Sequence, residues 1–378
     1  MHQDRFLALL VGATTIDGIV AALVLFARPR TRPITARRVA AAGLAASLTF
    51  LLKLPILLEA GVNSAFGVMN FAYVDAVVLV PVLAALVLLA GWDGRRVSWP
   101  ARILGVLGLL PAVVGLYATW IEPFRLRLET ANVRVAPRRA GRGAVKIGVL
   151  TDLQADHVGD HERRAMALLM AQRPDLILLP GDVFQGSDAA FARELPALRA
   201  LLGTLDAPGG VFVVPGDVDR PPSRLDELAA GTHLKPLVNE ARSVAIGDRV
   251  VTVCGVELDW RRMPGRMAME RLEYEGDEDD IRILLAHRPD PVLGLARRSR
   301  VDLVVAGHTH GGQVVVPGFG PPLTLTHVPR AVAAGGLHVL DGNSIYVSRG
   351  VGCERGQAPR IRLFCPPEVS LVTLRGDD

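Results

Sequence analysis

The sequence predicts an α+β chain, with an N-terminal bundle of four transmembrane helices followed by a soluble domain in which short strands alternate with helices. Three observations predict it. Half of the 378 residues are hydrophobic and the mean hydropathy is +0.32, an excess for a purely soluble protein. That excess sits in four apolar runs near the amino terminus. Beyond residue 145, five short apolar runs each end by presenting Asp or His.

The four runs, Phe6 to Ala27, Val39 to Leu58, Phe71 to Ala90 and Ile103 to Trp120, each approach the roughly 20 residues that a spanning helix needs. A secretory signal fits poorly, because the first run is long, has little positive charge before it and is followed by three more. Basic residues crowd the first connection (Arg28, Arg30, Arg32, Arg37, Arg38) and the third (Arg95, Arg96, Arg102), whereas Glu59 to Gly67 carries none. The positive-inside rule keeps those two connections in the cytoplasm. It predicts a multi-pass protein of the cell membrane whose domain after Trp120 is extracytoplasmic. Arg125, Arg127, Arg134, Arg138 and Arg139 run against the rule, which a long translocated domain weakens. Asp17, Lys53 and Asp75 fall inside the runs, where an unpaired charge is costly, so they are expected to face one another or to lie near the ends. A transport pathway is the sharper alternative for those three charges.

The first 130 residues hold 12 Lys/Arg against 7 Asp/Glu, which leaves 30 against 31 for the rest. The soluble part is therefore nearly neutral, and a nucleic-acid footprint, which needs a basic face on the folded domain, is not expected. Cys254, Cys353 and Cys365 are too few and too spread for a zinc ribbon or a disulfide scaffold. Cys254 lies in a strand-like run and is expected in the core. Cys353 and Cys365 suit either a bridge outside the cytoplasm or two unpaired core positions.

The expected division is a helical membrane domain over 1–120, a connector over 121–144 and a globular domain over 145–378. Pro123, Pro137, Gly141 and Gly143 break any long periodic pattern in the connector. Val145 to Leu150 is then a strand running into Asp152 and Gln154, and Glu162 to Gln172 has helical spacing that Pro174 ends. Leu176 to Leu179 runs into Gly181-Asp182, and Val211 to Val214 into Gly216-Asp217-Val218-Asp219. Ile281 to Leu285 runs into His287, and Val301 to Ala306 into Gly307-His308-Thr309-His310-Gly311-Gly312. Ligands of open α/β sheets gather beyond the carboxyl ends of the strands, so five such ends supply one polar crater. His308 and His310, taken as extended, are expected to point the same way, and neutral imidazole is the commonest metal ligand.

The order of these groups resembles the signature of calcineurin-like metallophosphoesterases, in particular their membrane-anchored bacterial branch. Asp152 matches the first acid, Asp182 the bridging acid, His287 the lone histidine, and His308 and His310 the final pair. Tyr346 to Gly352 and Pro359 to Glu368 resemble that branch as well. The resemblance covers about residues 145 to 376 and implies a two-sheet β-sandwich flanked by helices. It also implies one metal held by Asp152, Gln154, Asp182 and His310, and a second held by Asp182, Asp217, His287 and His308. Two divalent ions about 3.5–4 Å apart generate a nucleophilic hydroxide and clamp the oxygens of an in-line displacement at phosphorus. Mixed carboxylates and imidazoles suit manganese, iron or zinc. Asp152, Asp182, His308 and Asp219 are the expected catalytic positions.

Three departures stand out. Gln154 replaces a His ligand of the family, Asp217 replaces an Asn, and Val218 occupies the place of the catalytic His that protonates the leaving oxygen. General acid catalysis is typically worth about 10²–10⁴-fold. His157 and His161, on the same rim loop, are the candidates to stand in for a lost imidazole. The leading expectation is a membrane-anchored dimetal phosphohydrolase whose partners are the bilayer and a phosphorylated small molecule or lipid. The alternative is a catalytically weak domain that binds or senses a phosphate ligand.

Overall fold

The computed structural model describes residues 3–62, 65–221 and 223–376, so the outer limits of the expected division, Met1 and Asp378, lie outside the described residues. The chain forms two compact units, Met1–Ile121 with Glu354–Arg360 and Glu122–Cys353 with Ile361–Asp378.

In the first unit, Asp4–Phe26, Ala36–Glu59, Ala65–Ala90 and Trp99–Phe124 are helices long and apolar enough to cross a membrane. Each matches one expected run. Leu7, Ile19, Leu52 and Ile56 are exposed along them, and Trp92, Trp99 and Trp120 are exposed near their ends, as surfaces that face lipid tails and headgroups are. Lys53 Nζ reaches Asp17 Oδ2 at 2.5 Å and the carbonyl of Ala13 at 2.5 Å. A buried charge inside the bundle is thus paired between the first two helices. Tyr73 and Thr119 share a 2.7 Å hydrogen bond between the third and fourth.

In the second unit, twelve strands form two six-stranded sheets. They are β1 (Arg127–Arg134), β2 (Val145–Val149), β3 (Leu176–Leu179), β4 (Val211–Val213), β5 (Leu234–Pro236), β6 (Glu240–Ile246), β7 (Arg249–Val256), β8 (Ile281–Ala286), β9 (Leu303–Ala306), β10 (Gly336–Leu340), β11 (Asn343–Val347) and β12 (Glu368–Arg375). One sheet has the order β1-β12-β2-β3-β4-β5 and the other β10-β11-β9-β8-β7-β6. Val149, Leu178, Phe212, Val253, Ile283 and Val305 interdigitate between the sheets. Helices Asp160–Met170 and Asp188–Leu202 cover the outer face of the first sheet, and Met263–Tyr274 covers that of the second. The expected sandwich is present. Strands β2 to β4 run parallel to one another, as do β7 to β9, and β3, β4, β8 and β9 are buried on both faces, which is why they read as short, largely apolar runs.

The segment expected as a connector, 121–144, is corrected by β1, which pairs in parallel with β12 along its full length, Arg127 with Glu368 through Arg134 with Arg375. β1 is an edge strand whose side chains, except Val133, are not buried. Its polar sequence therefore carried no hydrophobic signal, and Pro137 follows shortly after its end. All three cysteines are buried and free, so Cys353 and Cys365 are unpaired core positions.

Candidate metal centre

The ends of β2, β3, β4, β8 and β9 converge, three from one sheet and two from the other. Each chain turns sharply where its strand stops. Asp152, Gln154, Asp182, His308 and His310 all adopt positive φ, between 40° and 70°, a region that costs free energy for residues with a side chain and clusters at functional sites. The expectation that His308 and His310 lie extended and point alike is corrected. Thr309 between them is right-handed while both histidines are left-handed. The turn is held by the His308 amide, which donates to the Asp152 carboxylate at 3.0 Å, and it sends the two rings to different carboxylates.

His308 Nδ1 lies 2.9 Å from Asp217 Oδ2, and His310 Nε2 lies 3.7 Å from Asp152 Oδ1. His287 Nε2 stands between the other two acids, 3.5 Å from Asp182 Oδ2 and 3.3 Å from Asp217 Oδ2. Potential ligand atoms of Asp217, His287 and His308 lie within 4.8 Å of one another, as do those of Asp152, Asp182 and His287. All seven expected ligand positions thus come together. Glycines make room for it. A Cβ on Gly216 would come within 2.1 Å of Asp182 Oδ1, and one on Gly307 within 2.4 Å of Asp152 Oδ2.

The fit to metal ions rests on His287. Its Nδ1 faces the carbonyl of Pro180 at 2.8 Å and can only donate there, so the lone pair belongs to Nε2. That nitrogen is buried with no hydrogen-bond partner, and it faces two carboxylates. Three electron-pair donors converging without a proton between them need a cation. Without one the ring takes up a proton. Burial opposes this, but the charges of Asp182, Asp152 and Asp217 prevail and raise its pKa to about 10. His310 is the reverse case: burial and then the Arg362 guanidinium hold it neutral, well below the usual range, with both ring nitrogens buried and without a hydrogen-bond partner.

The carboxylates divide as well. Burial, then the Asp182 charge, raise Asp152 to about 6, against the opposing pull of His287. Burial opposes it, but the nearby His287 and His308 rings and the Arg288 guanidinium hold Asp217 far below the carboxylate range. Asp219, one of the expected catalytic positions, accepts from the amides of Asp182 (2.7 Å), Gly216 (2.9 Å) and Val183 (3.0 Å). It braces the loop that carries Asp182. Gln154 Nε2 donates to Asp182 Oδ2 at 3.2 Å, so its amide nitrogen touches an oxygen that a bridging carboxylate uses.

Neither candidate stand-in makes a described contact with the acids. His157 is exposed and meets Asp156 at 2.6 Å, and His161 meets the Val351 carbonyl at 3.0 Å under the edge of Phe124. Sequence reasoning missed Arg288, whose signal was its place beside His287 at a strand end, and Thr151, whose hydroxyl donates to Asp152 at 2.9 Å. It gave no role to Arg362, within the stretch Pro359 to Glu368. Fully buried Arg362 donates to the carbonyls of Arg349, Gly350, Gly352 and Cys365, pinning the loop whose Gly352 amide donates to the Asp152 carbonyl at 2.7 Å.

Comparison with known proteins agrees with this geometry. The profile of the calcineurin-like phosphoesterase family matches residues 145–312. The chain is 32% identical over 267 residues to phosphodiesterase YaeI of Escherichia coli, across 68% of this chain and 88% of that protein. It is 26% identical over 269 residues to the metallophosphoesterase YkuE of Bacillus subtilis, across 68% and 89%. A metallophosphoesterase of Caenorhabditis elegans is 26% identical over 286 residues, 71% of this chain, which spans only 56% of that longer protein. The chain belongs to the calcineurin-like phosphoesterase family.

Proposed function

We propose that the second unit hydrolyses a phosphoester or pyrophosphate bond with two divalent ions, one held by Asp152, Asp182 and His310 with Gln154, the other by Asp182, Asp217, His287 and His308. The observation that carries this is His287, fixed by Pro180 so that a buried lone pair faces two carboxylates. Manganese, iron or zinc suits the mixed donors, and when bound such ions supply an ionised water and Lewis-acid polarisation of the phosphoryl oxygens. The protein's own work is to hold the acids ionised and in register. Asp219 fixes the Asp182 loop through three amides, the His308 amide fixes Asp152, and the Pro180 carbonyl keeps the His287 proton off Nε2. Val218 offers no side-chain proton, so leaving groups that depart as stable anions, such as pyrophosphates and aryl esters, suit this site better than alkoxides.

Four candidate membrane spans support a substrate at a membrane, a lipid or envelope phosphate, and the arginine-rich connections support an extracytoplasmic catalytic unit. Elemental analysis of the purified chain, with turnover over a panel of phosphoesters before and after chelation, tests the chemistry. Two equivalents of metal and chelator-sensitive hydrolysis are expected. Metal uptake without turnover of any ester would favour the second hypothesis, a phosphate-binding sensor, for which Val218 and the Gln154 amide are the support. Reporter fusions after Leu374 test the orientation, and activity of a cytoplasmic reporter there overturns it.

A further inference from the structure

The solvent-facing rim of the crater holds a cation with no task so far. Arg288 follows His287 past the end of β8, and the two side chains part company: that of His287 is fully enclosed, while that of Arg288 is 43% exposed. The guanidinium grips Asp217, with Nη2 2.5 Å from Oδ1 and Nε 3.3 Å from Oδ2. The same carboxylate turns Oδ2 toward His308 Nδ1 and His287 Nε2. Among these partners Oδ1 of Asp217 meets Arg288 alone, whereas Oδ2 is shared between the two imidazoles and Arg288 Nε. Among the described residues, no other lysine or arginine pairs with Asp152, Asp182 or Asp217, and Arg288 Nη1 donates to no protein atom.

Charge explains why the pair occurs together. A carboxylate at 217, where the family pattern has a neutral amide, removes one positive unit from the field that meets an anionic substrate. The guanidinium beside it restores that unit. Its planar fork has five donors; Asp217 engages Nε and one hydrogen of Nη2, and among the described residues Nη1 and the second Nη2 hydrogen meet no protein acceptor. That edge matches two phosphoryl oxygens.

We propose that Arg288 binds the phosphoryl group of the substrate, supplying from the end of β8 the positive charge that Val218 does not, with Asp217 holding the guanidinium in place. The proposal rests on the phosphoesterase function above. A guanidinium stays protonated in proteins, so it stabilises charge on the phosphoryl oxygens without protonating the leaving group, and the preference for stable leaving anions persists.

The test compares full-length wild type, Arg288→Gln and Arg288→Lys, each checked for folding by its melting transition. Metal content is read by elemental analysis, inorganic phosphate binding by calorimetry, and kcat and KM with an aryl phosphate ester. Arg288→Gln is expected to keep its metal and to bind phosphate about tenfold more weakly or worse, with kcat falling as well. Arg288→Lys keeps the charge without the fork and is expected in between. Wild-type phosphate affinity in metal-loaded Arg288→Gln overturns the proposal, as does loss of metal in both variants, which makes Arg288 a prop for Asp217. If the wild type itself takes up no metal, the phosphoesterase function fails first and this inference falls with it.

Discussion

On one side of the crater Asp152, Gln154, Asp182 and His310 are buried, none with a side chain more than 5% exposed, whereas on the other Asp217 and His308 are 27% and 13% exposed. The same residue types behave differently in these two places. Burial pushes Asp152 up to about 6, so the enclosed side resists holding a naked charge. On the open side two imidazoles and Arg288 keep Asp217 ionised under all ordinary conditions. Two of the three departures from the family pattern fall one on each side. Gln154 puts an amide donor into the enclosed half, and Asp217 puts a further carboxylate into the open half. The open half is therefore expected to hold its cation more tightly, and the proposed sharing of Asp182 makes the enclosed half depend on that residue.

Removing the shared acid is the harshest test of that asymmetry. Asp182→Ala is expected to lose both ions and all measurable turnover, with elemental analysis as the check. A folded variant that keeps two equivalents would mean that the two halves do not share this residue. Single deletions should then separate them. His308→Ala is expected to lose the tighter equivalent and His310→Ala the weaker one, so a chelator titration of the wild type that shows one affinity class instead of two would erase the comparison.

The enclosed half can also be strengthened. Gln154→His replaces an amide that donates to Asp182 with an imidazole lone pair. Outer-sphere partners of a metal are already worth about 10–100-fold in affinity, and a direct ligand is expected to tighten the weaker equivalent by at least the lower figure. Competition with a chromogenic chelator measures it. Unchanged affinity would show that position 154 does not face the ion.

Acidity gives a third contrast. In metal-free protein the His287 pKa of about 10 lies above its unfolded value of about 6.5, so its stabilisation is complete below the lower value and is lost as pH rises toward the upper one. His310 and Asp152 have finished titrating below that window. The melting temperature in chelator is therefore expected to fall between pH 7 and pH 9 more than that of the metal-loaded protein, in which an ion replaces the His287 proton. Parallel curves would place the ion elsewhere.

Much of this was legible in the sequence for a definite reason. Strands β2, β3, β4, β8 and β9 are buried almost throughout, which leaves short apolar runs, and the residues that follow each run line the crater. The edge strands β1 and β10 were not read, because their side chains are mostly half-exposed and carry no strong alternation. The handedness of the turns at His308 and His310 was illegible too, since the turn is held by a hydrogen bond that the His308 amide donates to the Asp152 carboxylate, more than 150 residues earlier. Arg288 was overlooked because its meaning depends on Asp217, which lies on a different strand end.

The smallest expected effect concerns Val218, at the boundary of the two halves. Its amide donates to Asp182 Oδ1 at 2.9 Å, and that bond survives any side chain placed there. Val218→His therefore adds an imidazole without disturbing the acid beneath it. A well-placed general acid is worth about 10²–10⁴-fold, yet the full gain is not expected. The residue that should orient the new ring is Asp219, and its two oxygens already hold the amides of Asp182, Val183 and Gly216. Turning toward a ring would release the loop that carries the shared acid, so the imidazole will be poorly fixed, and roughly tenfold is the expected ceiling for an alkyl phosphate ester. An aryl ester, whose leaving group departs unprotonated, should change less. Turnover of both esters by one metal-loaded preparation decides the point. A gain of several hundred-fold would show that Asp219 can leave its amides, whereas equal gains on the two esters would show that the ring acts on the phosphoryl oxygens, which is the role proposed for Arg288.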